Sequence, residues 1–400
     1  MEIYYFSQYD GLRPTTNPLA DARFCCALSK AGAGVTLVLP YVFRRSNLPR
    51  RRVRELYGLD ASMRLRRMPG PLFEALPSWI AVPILVACVF FAYLLIIARH
   101  RGRLTEVTVI SRDANSLAPV LLLNHLLGSR RRSTVLHWAH ELRLDRPRYR
   151  RVYRQVDGML ATNASILRDL AAAGPDYAKP STVTYNFLPA KYLDPTPNRL
   201  EARQELELPA AVDIVVHTGK LGFGLAEIEH ILAAAKRLSR VTFILTGGKP
   251  SVVRHFRSRC AADGMSNVVF TGFMHDPRRV RLYQRAADVL VSYYTPQDHA
   301  VEHNLPQKVF EYMASGAVIV SPAYPATADV LTSENSLIVP TEDPDALAEG
   351  IATALRDRQQ SERLAGHALR DGGRFTIEAR GPVILSLIEE LRRERVDRAA

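Results

Sequence analysis

Two kinds of apolar pattern alternate along most of the chain. Short runs dense in β-branched and aromatic residues recur as IYYFS (3–7), VTLVLP (35–40), VTVIS (107–111), STVLHW (133–138), GMLAT (158–162) and TVTYN (182–186). Between them lie stretches with helical spacing, such as PLADARFCCALSKAG (18–32), which carries an apolar stripe and ends on a glycine cap. Strand-helix alternation of this kind calls for right-handed crossovers and a parallel sheet. PAKYLDPTPNRLEARQELELP (189–209) is rich in proline and charge and reads as a connection between domains. The pattern then restarts with DIVVHTG (213–219), VTFILTG (241–247), NVVFTG (267–272), DVLVSY (288–293), AVIVS (317–321) and SLIVP (336–340). The expectation is an α/β chain of two doubly wound, Rossmann-like halves. Ligands then bind at the carboxyl ends of the strands and in the cleft between the halves. Three second-half strands end in Thr-Gly, and a glycine there lets backbone approach a ligand closely. The stretch RFTIEARGPVILSLIEELRRERV (374–396) reads as a final helix packing back onto the first half.

One segment breaks the pattern of a plain soluble protein. WIAVPILVACVFFAYLLIIA (79–98) is uncharged and long enough to cross a bilayer, and Arg99, Arg101 and Arg103 follow it. It lies between strands of one sheet, so a single crossing would put the 107–111 strand on the wrong side of the membrane. Partial insertion is expected, with the arginines meeting anionic headgroups. The alternative is burial within the protein.

Composition narrows the partners. A hydrophobic content of 47% and a charged content of 23% over 400 residues exclude a disordered or fibrous chain. The net charge of +13 favours an anionic partner. Arginines cluster at 44–54, 99–103, 130–132 and 143–154, but no basic-aromatic reader motif accompanies them, so nucleic acid is not expected. Cys25, Cys26, Cys88 and Cys260 have neither metal-ligand spacing nor disulfide density, which suits a reducing compartment. The opening MEIYYFSQYDG does not read as a signal peptide.

Two stretches carry candidate chemistry. HTGKLGFG (217–224) is a glycine-rich turn after a strand, where backbone N–H groups and Lys220 can seat a phosphate; alone, this signal is weak. HNLPQKVFEYMASGAVIVS (303–321) passes from loop to a helix over 307–314 and then to a strand. Lys308 in its first turn opposes the helix dipole, an unfavourable placement unless an anion compensates. Glu311, one turn on, can accept two hydrogen bonds from the vicinal hydroxyls of a ribose; the alternative is a capping or surface carboxylate.

The second half resembles the nucleotide-sugar domain of retaining GT-B glycosyltransferases of family 4. The matching stretches are HTGKL, FILTGG, NVVFTGF, LYQRAADVLVSYYTP, LPQKVFEYMASGAVIVSP and SLIVPTEDPDALAEGI, in the family's order over nearly all of 213–373. The first half is similar more loosely, through the 18–40 helix-strand and HWAHEL (137–142). The resemblance implies the GT-B fold. It divides the chain into an acceptor-binding domain (1–190), a linker (191–210), a nucleotide-sugar domain (211–373) and a C-terminal helix crossing back (374–400).

Carried over by position, Glu311 falls on the second glutamate of the family's E-x7-E motif, the ribose ligand. His303 falls on the first, where many members have a carboxylate. Lys220 matches the basic residue on the diphosphate; the second basic residue is missing, and Lys308 stands in for it. The donor is further implied to touch Gly11, Gly219, Gly222, Gly247, Phe273, Met274, Asn304, Leu305 and Pro306. His140 matches a histidine close to the reacting sugar, with Glu141 orienting it and His137 inside the sheet. Asn17, Arg112 and Glu141 are implied on the acceptor side.

The implied enzyme is a retaining hexosyl- or N-acetylhexosaminyltransferase, with His140, Lys220 and Glu311 catalytic. It would use a UDP- or GDP-sugar and no cofactor, and pass sugar to a lipid-linked or glycan acceptor at the cytoplasmic face of the cell membrane. Lys220 and two helix N-termini would stabilise the leaving diphosphate, which takes the acceptor's proton itself. Asp343-Pro344-Asp345 reads as a helix cap, so no metal is expected. A sugar-nucleotide-binding scaffold without catalysis is the alternative, suggested by His303 and the missing basic residue.

Overall fold

The β-rich runs are apolar on both faces, and only the interior of a helix-covered parallel sheet buries both at once. Most of them sit there, the edge strands less deeply, in the computed structural model, which describes residues 1–9, 16–41, 49–57, 59, 61–69, 76–128, 132–222, 224–297 and 301–399. One unit comprises Met1–Phe187 with Ile377–Ala400, the other Leu188–Thr376.

In the first unit β1 (Glu2–Phe6), β2 (Gly34–Tyr41), β3 (Arg64–Pro69), β4 (Val107–Ser111), β5 (Thr134–Ala139), β6 (Gly158–Ala161) and β7 (Ser181–Val183) form one sheet in the order β3-β2-β1-β4-β5-β6-β7. Its described pairings are parallel, and strand order reverses between β1 and β4. β3, RLRRMP, is a strand the apolar pattern does not announce: only Leu65 and Met68 are buried. Arginine on an exposed edge strand is a known guard against edge-to-edge pairing.

One face of this sheet packs Ile3, Tyr5 and Trp138 under the helices Thr16–Lys30 and Ile377–Ala399. The C-terminal helix therefore belongs to the first unit. It approaches so closely that a Cβ on Gly381 would lie 2.2 Å from the Ala27 carbonyl oxygen, and Lys30 pairs with Glu378 at 2.7 Å. The other face packs Tyr4, Phe6, Val107 and Val109 under the helices Ser78–Arg99 and Ala114–Leu127. The apolar segment is thus a crossover helix, held by a stripe of Ala81, Leu85, Val89, Tyr93 and Ile96. Tyr93 also donates to Asn124 Oδ1 at 2.6 Å, joining the two helices.

The second unit repeats the plan with β8 (Ile214–Thr218), β9 (Thr242–Thr246), β10 (Val268–Gly272), β11 (Val289–Val291), β12 (Val318–Pro322) and β13 (Leu337–Val339), ordered β10-β9-β8-β11-β12-β13. The stretch expected to be a linker is largely packed into this unit. Its helix Arg199–Glu205 sets Ala202 against Leu282 and Ala286. Buried Arg203 donates to the carbonyls of Ala286 (2.9 Å) and Ala210 (2.8 Å) and pairs with buried Asp288 at 2.6 Å. Asp288 also accepts from the Ile214 amide at 2.7 Å, so the guanidinium and carboxylate satisfy each other and fix the start of β8.

The three Thr-Gly strand ends explain one another. Gly219 N–H donates to Thr246 O at 3.2 Å, Gly247 N–H to Gly272 O at 2.9 Å and Phe273 N–H to Gly248 O at 3.1 Å. Gly247 has φ +116°, and a Cβ there would lie 1.9 Å from the Gly219 carbonyl oxygen. Strain and overlap together make Gly247→Ala cost at least ~3 kcal/mol. Calorimetry should show a melting temperature lower by roughly 6–12 °C; an unchanged transition would contradict this packing.

Candidate functional site

The strand ends of the second unit gather an unusual set of side chains. The helix Gln307–Met313 starts at Pro306 and buries Lys308. The Lys308 ammonium lies 4.4 Å from the Tyr294 ring centroid and 3.4 Å from where a Cβ on Gly219 would stand. Desolvation pulls its pKa down to about 8, against the attraction of buried Glu227. Glycine at 219 leaves the end of β8 open beside this cation. His217, on the same strand, donates from Nδ1 to the Val291 carbonyl at 3.1 Å, which leaves Nε2 as the edge turned to Gly219, 3.5 Å from that same point.

Glu311 is partly buried on the same helix. Buried Gln284 donates to Glu311 Oε2 at 3.2 Å and to Thr218 Oγ1 at 3.3 Å. The Thr218 amide in turn donates to the Tyr312 hydroxyl at 2.8 Å. The end of β8 and the helices Pro277–Ala286 and Gln307–Met313 therefore hold the carboxylate in one network. Arg281, stacked 4.3 Å over the Tyr192 ring, feels the Glu311 charge.

The other residues expected on the donor side fall nearby in sequence but differ in exposure. Lys220 and Asn304 are exposed, His303, Pro306 and Met274 partly buried, and Leu305 buried. Gly222 abuts Leu225, whose side chain would lie 3.1 Å from an added Cβ. Phe273 is 54% exposed, with its ring 4.9 Å from that of His275, an apolar surface that the core does not use. Gly11 lies outside the described residues.

In the first unit the candidates collect at the carboxyl ends of β1, β4 and β5, beside the reversal in strand order. His140 follows β5, its ring 4.2 Å from that of Trp138. Burial, with the cation of Arg112 and His137 beside it, holds its imidazole neutral well below the ordinary range. Its Nε2 is buried and accepts or donates no hydrogen bond among the described residues. Glu141 does not orient it: that carboxylate is exposed and pairs with Arg143 at 2.6 Å, a nearer and stronger partner. His137 is enclosed in the sheet, its pKa pulled to about 3 by burial.

Arg112 follows β4 and lies 3.6 Å from buried Asp21 and 5.7 Å over the Tyr9 ring. Asn17 donates to the Tyr9 hydroxyl at 2.9 Å. Asp21 accepts from Tyr5 at 2.7 Å and from Ser7 at 2.6 Å; burial raises its pKa and Arg112 opposes that. Sequence reasoning missed Gln284, His217, Tyr9 and Asp21 as parts of these sites. The one available signal was Asp21, a lone acid inside an apolar helix stripe; Gln284 carries no local mark, since its partner is 27 residues away.

No group of His, Cys, Asp or Glu among the described residues could hold a metal ion. Asp343 caps the helix Pro344–Arg356, accepting from the amides of Asp345 and Ala346 at 2.9 Å each.

With this geometry in place, comparison with known proteins locates the chain. Residues 213–357 match the family "Glycosyl transferases group 1". No curated protein sequence matches. Sucrose-phosphate synthase of Thermosynechococcus elongatus superposes with a TM-score of 0.76 at 18% identity, over 98% of this chain and 100% of that one. HepE of Anabaena, in complex with UDP and glucose, gives 0.69 at 17% over 97% and 99%. The apo lipopolysaccharide outer core galactosyltransferase WaaB gives 0.65 at 13% over 98% and 99%. The chain has the GT-B fold of two Rossmann-like domains, and its segment 213–357 is similar to the group 1 glycosyl transferase family.

Proposed function

We propose that the protein is a retaining glycosyltransferase. It moves a hexosyl or N-acetylhexosaminyl group from a UDP- or GDP-sugar to a lipid-linked acceptor at the cytoplasmic face of a membrane, in glycan or glycolipid synthesis. The observation that carries the donor half is Lys308, a buried ammonium facing the glycine at the end of β8 on the same short helix as Glu311. A desolvated cation there is unfavourable on its own and favourable once an anion arrives. The family match over 213–357 supports the same reading.

In this reading the nucleoside ribose hydroxyls donate to Glu311, held in place by Gln284. Lys308 and Lys220 meet the diphosphate and stabilise the charge that develops as it leaves. The exposed Phe273 ring is available to the base. The departing phosphate takes the acceptor's proton as the acceptor oxygen bonds to the anomeric carbon on the same face, so no separate general base is needed, and Lys308 and Lys220 carry the leaving-group charge. Neutral His140 hydrogen-bonds the sugar being transferred. Arg112, whose buried Nη1 pairs with Asp21 only loosely at 3.6 Å, suits a phosphate on the acceptor.

A screen of nucleoside diphosphate sugars by thermal shift tests the donor class. A true donor at a hundredfold excess over its Kd adds about 2.7 kcal/mol, or roughly 5–10 °C; no shift with any donor would refute the reading. Glu311→Ala should lower donor affinity at least ~tenfold and abolish transfer; a scaffold would keep its biological role despite the substitution.

Lys308→Met separates binding from folding. The Lys308 pKa is depressed in the folded state, so its charge weakens the fold as pH falls below the ordinary lysine value towards about 8. Removing it should stabilise the protein at neutral pH by up to about 3 kcal/mol while weakening nucleoside diphosphate binding at least ~tenfold. Paired calorimetry and titration measure both; a destabilised variant with intact affinity would contradict the assignment.

A further inference from the structure

Eleven large hydrophobic residues are exposed among the described residues, and seven of them sit on two neighbouring helices. Trp79, Ile84, Phe91, Leu94 and Leu95 lie on Ser78–Arg99, with Trp79 at 75% and Leu95 at 73% exposure. Leu122 and Leu126, the latter 72% exposed, lie on Ala114–Leu127. Both helices bury their opposite faces in the same sheet face, so both outward faces point the same way. The spacing of the exposed positions in the first helix, 79, 84, 91, 94–95, is a single stripe opposite the buried one. No charged residue occurs between Ser78 and Ala98.

At the end of this stripe the chemistry changes abruptly. Arg99, Arg101 and Arg103 are exposed. His100 Nε2 pairs with the Tyr4 hydroxyl at 2.9 Å, and Arg99, Arg64 and Arg66 all bear electrostatically on Tyr4. Arg64 and Arg66, with Arg54, line a cavity of about 490 Å³. An apolar plate with a cationic end complements one kind of partner, a bilayer carrying anionic headgroups. A globular protein partner would match the apolar face without needing the arginines.

We infer that these two helices dock the protein in the plane of an anionic membrane, with the apolar stripe sunk below the headgroups and the arginine cluster bound to lipid phosphates. The helix cannot span. It joins β3 to β4, neighbours of β2 and β1 in one sheet, and spanning would tear that sheet apart. Because it links the carboxyl end of β3 to the amino end of β4, it runs against the strands. Trp79 therefore stands at the edge where β4 and β5 deliver Arg112 and His140, which in this placement lies beside the bilayer surface. This gives the membrane location proposed above its residues and orientation, and it is independent of donor chemistry.

Flotation with vesicles tests it on the full chain. The protein should float with an equal mixture of phosphatidylglycerol and phosphatidylcholine, and binding should weaken as salt rises. Phe91→Asp with Leu95→Asp should cut the bound fraction at least ~tenfold. Arg99→Ser, Arg101→Ser and Arg103→Ser together should abolish the preference for phosphatidylglycerol over phosphatidylcholine alone. Trp138 is fully buried, so bromine carried on lipid acyl chains near the headgroups should quench Trp79 alone in the unaltered protein. Quenching by bromines at the bilayer centre instead would mean a deep insertion and overturn the in-plane placement. Wild type that stays unbound, with Trp79 unquenched, overturns the proposal. So does a wild-type dimer that the aspartates convert to monomer while neither form floats, since the face would then join two copies. Thermal shift by the donor, measured without vesicles, should be the same for all of these variants; its loss in the wild type would speak against the donor reading and leave this one standing.

Discussion

A parallel strand must be followed by a crossover that carries the chain back to the edge where the next strand begins. All carboxyl ends in such a sheet consequently share one edge, and each crossover helix is confined to one face. Both consequences shape this protein. In the second unit the shared edge brings Thr218-Gly219, Thr246-Gly247 and Gly272 into backbone contact and leaves room for Lys308 and Glu311 beside them. In the first unit it aligns Arg112 and His140. The same rule turns an apolar segment of membrane-spanning length into a helix lying flat on a sheet.

The site chemistry is an exercise in holding charge where charge is unfavourable. Lys308 is desolvated, with an aromatic face and a buried carboxylate as company, and keeps a pKa near 8. Asp21 is pushed towards its neutral form by burial and pulled back by Arg112. His140 is kept neutral. Such groups weaken the fold; Asp21 already has Tyr5, Ser7 and Arg112 as partners, whereas Lys308 and His140 would gain from a ligand. By contrast, the Arg203–Asp288 pair is fully bonded and does structural work only.

Much of the architecture was legible in the sequence. The twelve apolar runs became strands with ends shifted by up to three residues, because burial on both faces leaves most of them an unbroken β-rich signature. β3 was not legible: its two buried residues are hidden among arginines that face outward. The 189–209 stretch looked like a linker because proline and charge dominate it, but one arginine with four partners ties it into the second unit. At the site, Glu311, Lys308 and His140 were singled out from local motif and resemblance. Gln284 and His217 were not, since what defines them are contacts to residues distant in sequence. Glu141 was expected to orient His140, but adjacency says nothing of direction, and Arg143 two residues on takes its carboxylate.

The account stands on the ammonium of Lys308 awaiting a diphosphate. Its titration, followed by NMR through the isotope-labelled lysine side chain with Lys308→Met for assignment, tests that directly. In the free protein it should titrate near 8, and saturating UDP or GDP should move it upward by at least one unit as the anion stabilises the charged form. A lysine that titrates at its ordinary value, or one whose titration neither nucleotide alters, would contradict it.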